Sequence, residues 1–294
     1  MARSNQSATA TASPSRPASP PADRPLSPTR SSDPATPAAR SLILRRNVPK
    51  PHISAPSAVL MEEETGEVLY DLASRRRMEP ASTTKIATAM VVLVETKGRL
   101  DEKVLVSSRA AAAEGSSAQL HAGQRVSVKD LLYALMLLSG NDAATALAEH
   151  VAGTEVRFAA LMNEMAKELG ARSTHFANAS GLPDRNHYTT AYDLALLTRY
   201  AYRSPAFRQI VSTKSIRLSW LPEPAVNHNK MLWRYPGADG VKPGFTTSAQ
   251  QCWVVSAERQ GRRLIAVVLG DDRTTVFDDL TRLLDYGFAV LGVK

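Results

Sequence analysis

The sequence predicts an α+β domain with one antiparallel sheet that takes strands from both ends of the chain, and with helices between. Three patterns lead there. Near the start, Ala58-Val59-Leu60-Met61 and Glu67-Val68-Leu69-Tyr70 flank Glu64-Thr65-Gly66, a hairpin in which the glycine takes the positive φ angle. Near the end, Cys252 to Ala257 and Leu264 to Leu269 are apolar runs joined by a turn over Glu258 to Arg262. The middle of the chain carries helical periodicity instead, and strands segregated from helices in this way imply α+β layering.

Taken in order, the basic cluster Arg75-Arg76-Arg77 reads as a solvated loop. A helix is expected from near Ala81, because Pro80 suits a helix opening, where no amide hydrogen is needed. Its continuation, Ile86 to Val94, is apolar nearly all round, so this helix is expected inside the domain. Ser107 to Glu114 is a candidate short helix. Val128 to Val151 is a helical region broken by Ser139-Gly140-Asn141-Asp142, turn chemistry that also offers a cap for the second half. Val156 to Leu169 is amphipathic and stopped by Gly170, and Thr190 to Tyr202 is helical again. The segment His175 to Asp184 is loop. Ala238 to Thr247 leads into the C-terminal strands, and a last helix, Val276 to Leu291, puts Phe277, Leu280, Leu283, Leu284 and Phe288 on one face.

Composition divides the chain. Ten of the 18 prolines lie within residues 1–51, among Ser, Thr and Ala, without apolar periodicity. Residues 1–50 are therefore expected to be a disordered basic tail, since they cannot bury enough surface to offset their ordering entropy. Residues 53–294 are the expected folded domain. Residues 1–52 carry eight Lys/Arg and two acids, six of the eight net positive charges, which leaves the remainder near neutral at +2. With the charge confined to the tail and no recognition module beside it, nucleic acid is not an expected partner. The tail offers only Leu42-Ile43-Leu44, short of the roughly 7–15 apolar residues of a signal peptide, and no run in the chain reaches the roughly 18–20 of a membrane helix, so no integral membrane segment is expected. Either the true start lies upstream of this sequence, or the tail replaced a removed signal, or the protein stays inside. The one cysteine, Cys252, excludes an intramolecular disulfide and sits in a strand-like apolar setting. His121, His175 and His187 have no metal-ligand spacing and read as surface or loop histidines.

The chemistry centres on Pro80-Ala81-Ser82-Thr83-Thr84-Lys85. Three residues apart at a helix start, Ser82 and Lys85 share a face and are carried into a largely dry place. A serine hydroxyl becomes a nucleophile when a base takes its proton. A lysine can be that base when burial or a second cation favours its neutral form. The turn at Ser139-Gly140-Asn141 presents small hydrogen-bonding side chains between buried helices. Lys242, beside Pro243 and Gly244 on a strand, could pair with a substrate through charge and backbone together, or be a solvated edge-strand cation.

In this order and spacing, Ser82-Thr83-Thr84-Lys85, Ser139-Gly140-Asn141 and Lys242-Pro243-Gly244 resemble the three motifs of the penicillin-binding and serine β-lactamase superfamily. Within it, the chain is similar to the low-molecular-weight D-alanyl-D-alanine carboxypeptidases, the S11 serine peptidases. The resemblance runs from about Ala55 to Leu291. It includes Met136 to Ala144, Ser180-Gly181-Leu182-Pro183-Asp184, Asn227-His228-Asn229-Lys230-Met231-Leu232 and Leu283 to Phe288. It implies a β-lactamase/DD-peptidase-like fold, with Ser82 as nucleophile, Lys85 as base, Ser139 and Asn141 as proton relay and amide contact, and Lys242, Gly244, Phe245 and Thr246 as substrate-binding residues. The amides of Ser82 and Phe245 would form the oxyanion hole. Peptidoglycan stem peptides are the implied substrate, β-lactams the implied covalent inhibitors and the cell envelope the implied location, and no metal or cofactor is needed.

Two departures fall on recognition of the substrate's terminal carboxylate. Pro243 stands where most members of the family have a threonine, and Val276 where they commonly have an arginine. Thr246, Thr247 or Arg273 could stand in. A DD-endopeptidase of peptidoglycan cross-links is thus one alternative, and a non-catalytic peptidoglycan-binding homologue another. A class A β-lactamase would need a glutamate-centred loop, and Arg172 to Asp184 contains no glutamate. The sequence stops at Lys294, just after the final helix, where many members of the family continue into a β-rich domain and an amphipathic anchor.

Overall fold

The computed structural model describes residues 48–293; the expected disordered tail, 1–50, lies outside the described residues except for its last three. In chain order the elements are β1 (Ser57–Glu62), β2 (Val68–Leu72), α1 (Lys85–Glu95), β3 (Lys103–Leu105), α2 (Ser108–Ala111), β4 (Arg125–Ser127), α3 (Val128–Leu137), α4 (Asn141–Ala152) and α5 (Glu155–Glu168). They continue with α6 (Ala191–Ala201), α7 (Pro205–Ser212), β5 (Ser215–Ile216), β6 (Ala225–Val226), α8 (Met231–Arg234), β7 (Ala238–Thr246), β8 (Gln250–Arg259), β9 (Arg262–Asp271) and α9 (Val276–Val290).

The main sheet is five-stranded and antiparallel in the order β2-β1-β9-β8-β7, so the N-terminal hairpin docks on the last strand made. Gly66 has φ +75 in the first hairpin, as expected for its turn. Strand alternation gives the sheet two apolar faces. Val59, Met61, Ile265, Val267, Leu269 and Val254 face the helices, whereas Ala58, Leu60, Leu264, Ala266, Val268 and Val255 face α9. Leu280, Leu283, Leu284 and Phe288 of α9 are buried on that second face, and Phe277 lies at its rim with its ring 5.1 Å from that of Trp253. Asp279, also buried on α9, accepts from the backbone N–H groups of Ser54 (2.6 Å) and Ala55 (3.0 Å) and so ties the entering segment to the last helix.

The helical layer is built around α1, whose residues Lys85 to Val92 are all buried. Two expectations are corrected here and a third is narrowed. The helix does not start as an α-helix near Ala81: Ala81–Thr84 is a 3₁₀ turn, and α1 begins at Lys85. The second half of the broken helix has Gly140 as its cap, with no side-chain cap bond. Asp142 instead accepts from the Ala118 N–H (2.8 Å) and the Ser117 hydroxyl (2.7 Å), so the turn's acid anchors the neighbouring loop. His187, expected at the surface or in a loop, lies in a loop but is buried, 2% exposed. The helix α7 was not foreseen, although Ser204 caps it and Pro205 opens it as helix-start rules describe.

Candidate active site

The 3₁₀ turn decides the central geometry. Residues i and i+3 eclipse one another in a 3₁₀ helix, which stacks Lys85 over Ser82 more closely than an α-turn would. Lys85 Nζ lies 3.2 Å from Ser82 Oγ. The turn is strained at its entrance, where Ala81 has φ +47. It is also pressed from two sides. A Cβ on Gly181 would lie 1.9 Å from the Ala81 carbonyl oxygen, and one on Gly244 would lie 2.7 Å from the Ser82 amide nitrogen. Only glycine lets two backbones approach Ser82 this closely.

Lys85 is fully buried. Its Nζ also bonds Asn141 Oδ1 at 2.7 Å and the Ser180 carbonyl at 2.5 Å. The Asn141 amide is oriented by its other end, where Nδ2 donates to the Glu114 carbonyl at 2.6 Å. Asn141 Oδ1 and Ser180 O can only accept. A neutral amine has two hydrogens and one lone pair; with the hydrogens given to those two oxygens, the lone pair is left for the Ser82 hydroxyl. Burial, reinforced by the charge of Lys242, holds the Lys85 pKa well below the usual lysine value and favours that neutral form.

Facing this turn is β7, the last strand of the sheet, with its free edge beside the Ser82 turn. Ser82, Ser116, Ser139, His228, Lys242, Pro243, Gly244, Phe245 and Gln251 line one cleft of about 290 Å³. Lys242 is buried rather than a solvated edge-strand cation, and burial pushes its pKa down to about 7. Its Nζ donates to the carbonyl of its neighbour Pro243 at 3.0 Å. Ser139 has φ +63, which turns its side chain out of the helix path, and its buried Oγ has no hydrogen-bond partner. Thr246 stands beyond the cleft, where its Oγ1 accepts from the Ala249 N–H (2.9 Å) in the turn after β7.

The structure therefore places Ser82, Ser139, Lys242, Gly244 and Phe245 on one cleft, joins Lys85 and Asn141 to Ser82 through hydrogen bonds, and sets Thr246 at the end of β7. Sequence reasoning missed four contributors. His228 lies on the rim, its pKa lowered by burial and by Lys242 and Lys230. The Ser180 carbonyl and the Glu114 carbonyl fix Lys85 and Asn141, and backbone acceptors leave no residue-type signal. His187 contacts the Ser82 turn directly: its Nε2 lies 2.8 Å from Thr84 Oγ1, and burial is the main cause that lowers its pKa to about 4. Among the described residues no group of His, Cys, Asp and Glu could hold a metal ion.

A family model described as D-alanyl-D-alanine carboxypeptidase (Peptidase_S11) matches residues 45–273. The D-alanyl-D-alanine carboxypeptidase DacF of Bacillus subtilis is 38% identical over 80% of this chain and 62% of its own length. A D-alanyl-D-alanine carboxypeptidase of Streptomyces sp. K15 is 36% identical over 83% of this chain and 90% of its own. The chain thus spans about three-fifths of the length of DacF and nearly all of the Streptomyces protein. Among solved structures, the Streptomyces K15 DD-transpeptidase superposes with a TM-score of 0.79 at 36% identity, covering 82% of this chain and all of that one. The D-alanyl-D-alanine carboxypeptidase of Mycobacterium tuberculosis H37Rv superposes at 0.78 and 34% identity, covering 82% and 94%. With the β-lactamase/DD-peptidase-like fold shared and the match extending over most of the folded domain, this chain belongs to the D-alanyl-D-alanine carboxypeptidase family of serine peptidases, S11.

Proposed function

We propose that this chain is a serine-type D-alanyl-D-alanine carboxypeptidase that acts on peptidoglycan stem peptides in the cell envelope. The observation that carries the reading is the environment of Lys85, a buried amine whose hydrogens are taken by two acceptor-only oxygens and whose remaining direction is the Ser82 hydroxyl. The substrate lies along the free edge of β7 as an added strand. Lys85 takes the Ser82 proton while Oγ bonds to the carbonyl carbon of the penultimate D-alanine. The carbonyl oxygen gains negative charge and is held by the amides of Ser82 and Phe245. Collapse of that intermediate breaks the C–N bond, and the Ser139 hydroxyl, free of protein partners, relays the proton to the departing D-alanine amine. Water then cleaves the ester on Ser82. β-Lactams acylate the same oxygen and remain as slowly hydrolysed adducts.

The terminal carboxylate is met by Arg273, in the loop between β9 and α9. Its guanidinium lies 5.7 Å from the centroid of the Phe245 ring, and it forms no ion pair among the described residues. Because Arg273 is exposed, we expect a modest preference for a free acid, less than about a hundredfold, or roughly 2.7 kcal/mol. No helix of the described residues is long and apolar enough to cross a membrane.

The test is intact-mass detection of a penicillin adduct together with D-alanine release from a D-Ala-D-Ala peptide. Both should occur with this chain and vanish in Ser82→Ala. A chain that retains D-alanine release after that substitution, or that gives neither signal, would overturn the reading, and rapid turnover of penicillin would redirect it to a β-lactamase.

A further inference from the structure

His187 is sealed in the fold, and each of its ring nitrogens has a defined partner. The backbone N–H of Ala177 donates to Nδ1 at 3.2 Å, so Nδ1 carries no proton. The neutral ring must therefore be protonated on Nε2, which donates to Thr84 Oγ1 at 2.8 Å. The ring is locked edge-on against the buried Phe176, with centroids 5.7 Å apart. These two bonds lead to the two structures that enclose Lys85. Thr84 lies between Ser82 and Lys85 in the 3₁₀ turn. Ala177 opens the strap that supplies the Ala179 carbonyl to Thr88 (2.7 Å) and the Ser180 carbonyl to Lys85 (2.5 Å). One imidazole thus spans the gap between the nucleophile's turn and the strap that receives the base.

We propose that His187 is a positioning residue for acylation, a neutral two-ended bracket that sets the distance between the Ser82–Lys85 turn and the Ala177–Gly181 strap. The inference rests on the peptidase reading above and deepens it. Without the bracket, the Ser180 carbonyl drifts from Lys85, the amine gains room for water, and its lone pair is no longer directed at the Ser82 hydroxyl. The titratable groups that bear on the ring are Asp184 and His175 of its own loop and Lys85 of the helix opposite. A second proton on the ring would turn Nδ1 into a donor facing the Ala177 N–H, so the bracket requires the neutral form.

The experiment measures the penicillin acylation rate of the full chain against pH, with active sites counted by adduct mass. His187→Phe keeps an aromatic ring against Phe176 without hydrogen bonds; Thr84→Val removes the hydroxyl at similar volume; His187→Gln keeps a donor toward Thr84. The expected result for His187→Phe and Thr84→Val is a full count of sites, acylation slower by about 20-fold or more, and an acid limb moved to higher pH by about 0.5 unit or more. His187→Gln should recover to within about threefold of the parent chain, with the limb unmoved. The proposal is overturned if the first two variants acylate within about threefold with an unmoved limb, or if their loss appears only as fewer titratable sites. Should His187→Phe not fold, Thr84→Val decides by the same limits. A parent chain that is never acylated overturns the peptidase reading as well, which separates that failure from this one.

Discussion

The cleft has two walls of unlike construction. On the helical wall, Lys85, Asn141, the Ser180 and Glu114 carbonyls, Thr84 and His187 form a connected set in which these polar groups are used by one another. On the sheet wall, Lys242 is equally buried, yet its ammonium reaches only the carbonyl of its own neighbour, and the edge of β7 beside it is unpaired. Buried polar groups are costly unless satisfied, so the first wall is rigid in the empty protein, whereas the second retains bonding capacity for an incoming peptide. On the proposed function, one wall makes the nucleophile and the other receives the substrate.

The contrast can be broken most severely from the helical side. Lys85→Met keeps the volume and removes the base, and acylation should fall by roughly 10²- to 10⁴-fold. A loss below tenfold by stopped-flow acylation would move the base elsewhere. Gly244→Ala attacks the junction of the walls: its Cβ would press on the Ser82 amide and displace the oxyanion site, for an expected loss of about 10²-fold with the fold retained by circular dichroism.

Lys242→Met sharpens the electrostatic side of the comparison. Lys85 accepts a proton only when neutral, so acylation rises with pH through its lowered pKa. Removing the Lys242 charge raises that pKa and should shift the acid limb of the acylation profile to higher pH. Stability carries a second signature. Between pH about 7 and the ordinary lysine value of 10.5 the unfolded chain binds a proton that native Lys242 has released, so stability rises with pH across that window. Urea titrations at several pH values should show this slope reduced in the variant.

Smaller effects test whether the walls are separable from the rest of the molecule. Asp279→Ala strands the buried Ala55 amide and frees that of Ser54, far from the cleft, and should cost about 1–3 kcal/mol in chemical denaturation, with acylation per folded molecule unchanged. Arg273→Leu should be the mildest, with KM for the acid substrate raised about two- to fivefold and the amide substrate unaffected, the scale of an exposed ion pair.

How much of this was legible in the sequence follows the same division. The hairpin, the interrupted helix pair and the C-terminal strands show their periodicity, because each presents an apolar face to a core. Lys85 and Lys242 were expected near one serine, although residue type alone could not distinguish a buried Lys242 from a solvated one; the sheet wall had to close over it. The 3₁₀ turn at Ala81 was hidden because a 3₁₀ and an α start share the same opening residues. The burial of His187 was missed because that of a single loop histidine comes from tertiary packing on Phe176, which leaves no local pattern. The carbonyls of Ser180 and Glu114 were beyond sequence reasoning altogether, since every residue carries the same carbonyl.

The strand order has a temporal meaning. β1 pairs with β9, which ends at Asp271, so the ribosome must deliver every element between them before the sheet can close. Such long-range pairings slow folding. Lys242 itself belongs to the late strands, and the charge that helps to lower the Lys85 pKa arrives with it. Until then the helical layer can enclose Lys85, but the cleft lacks its second wall.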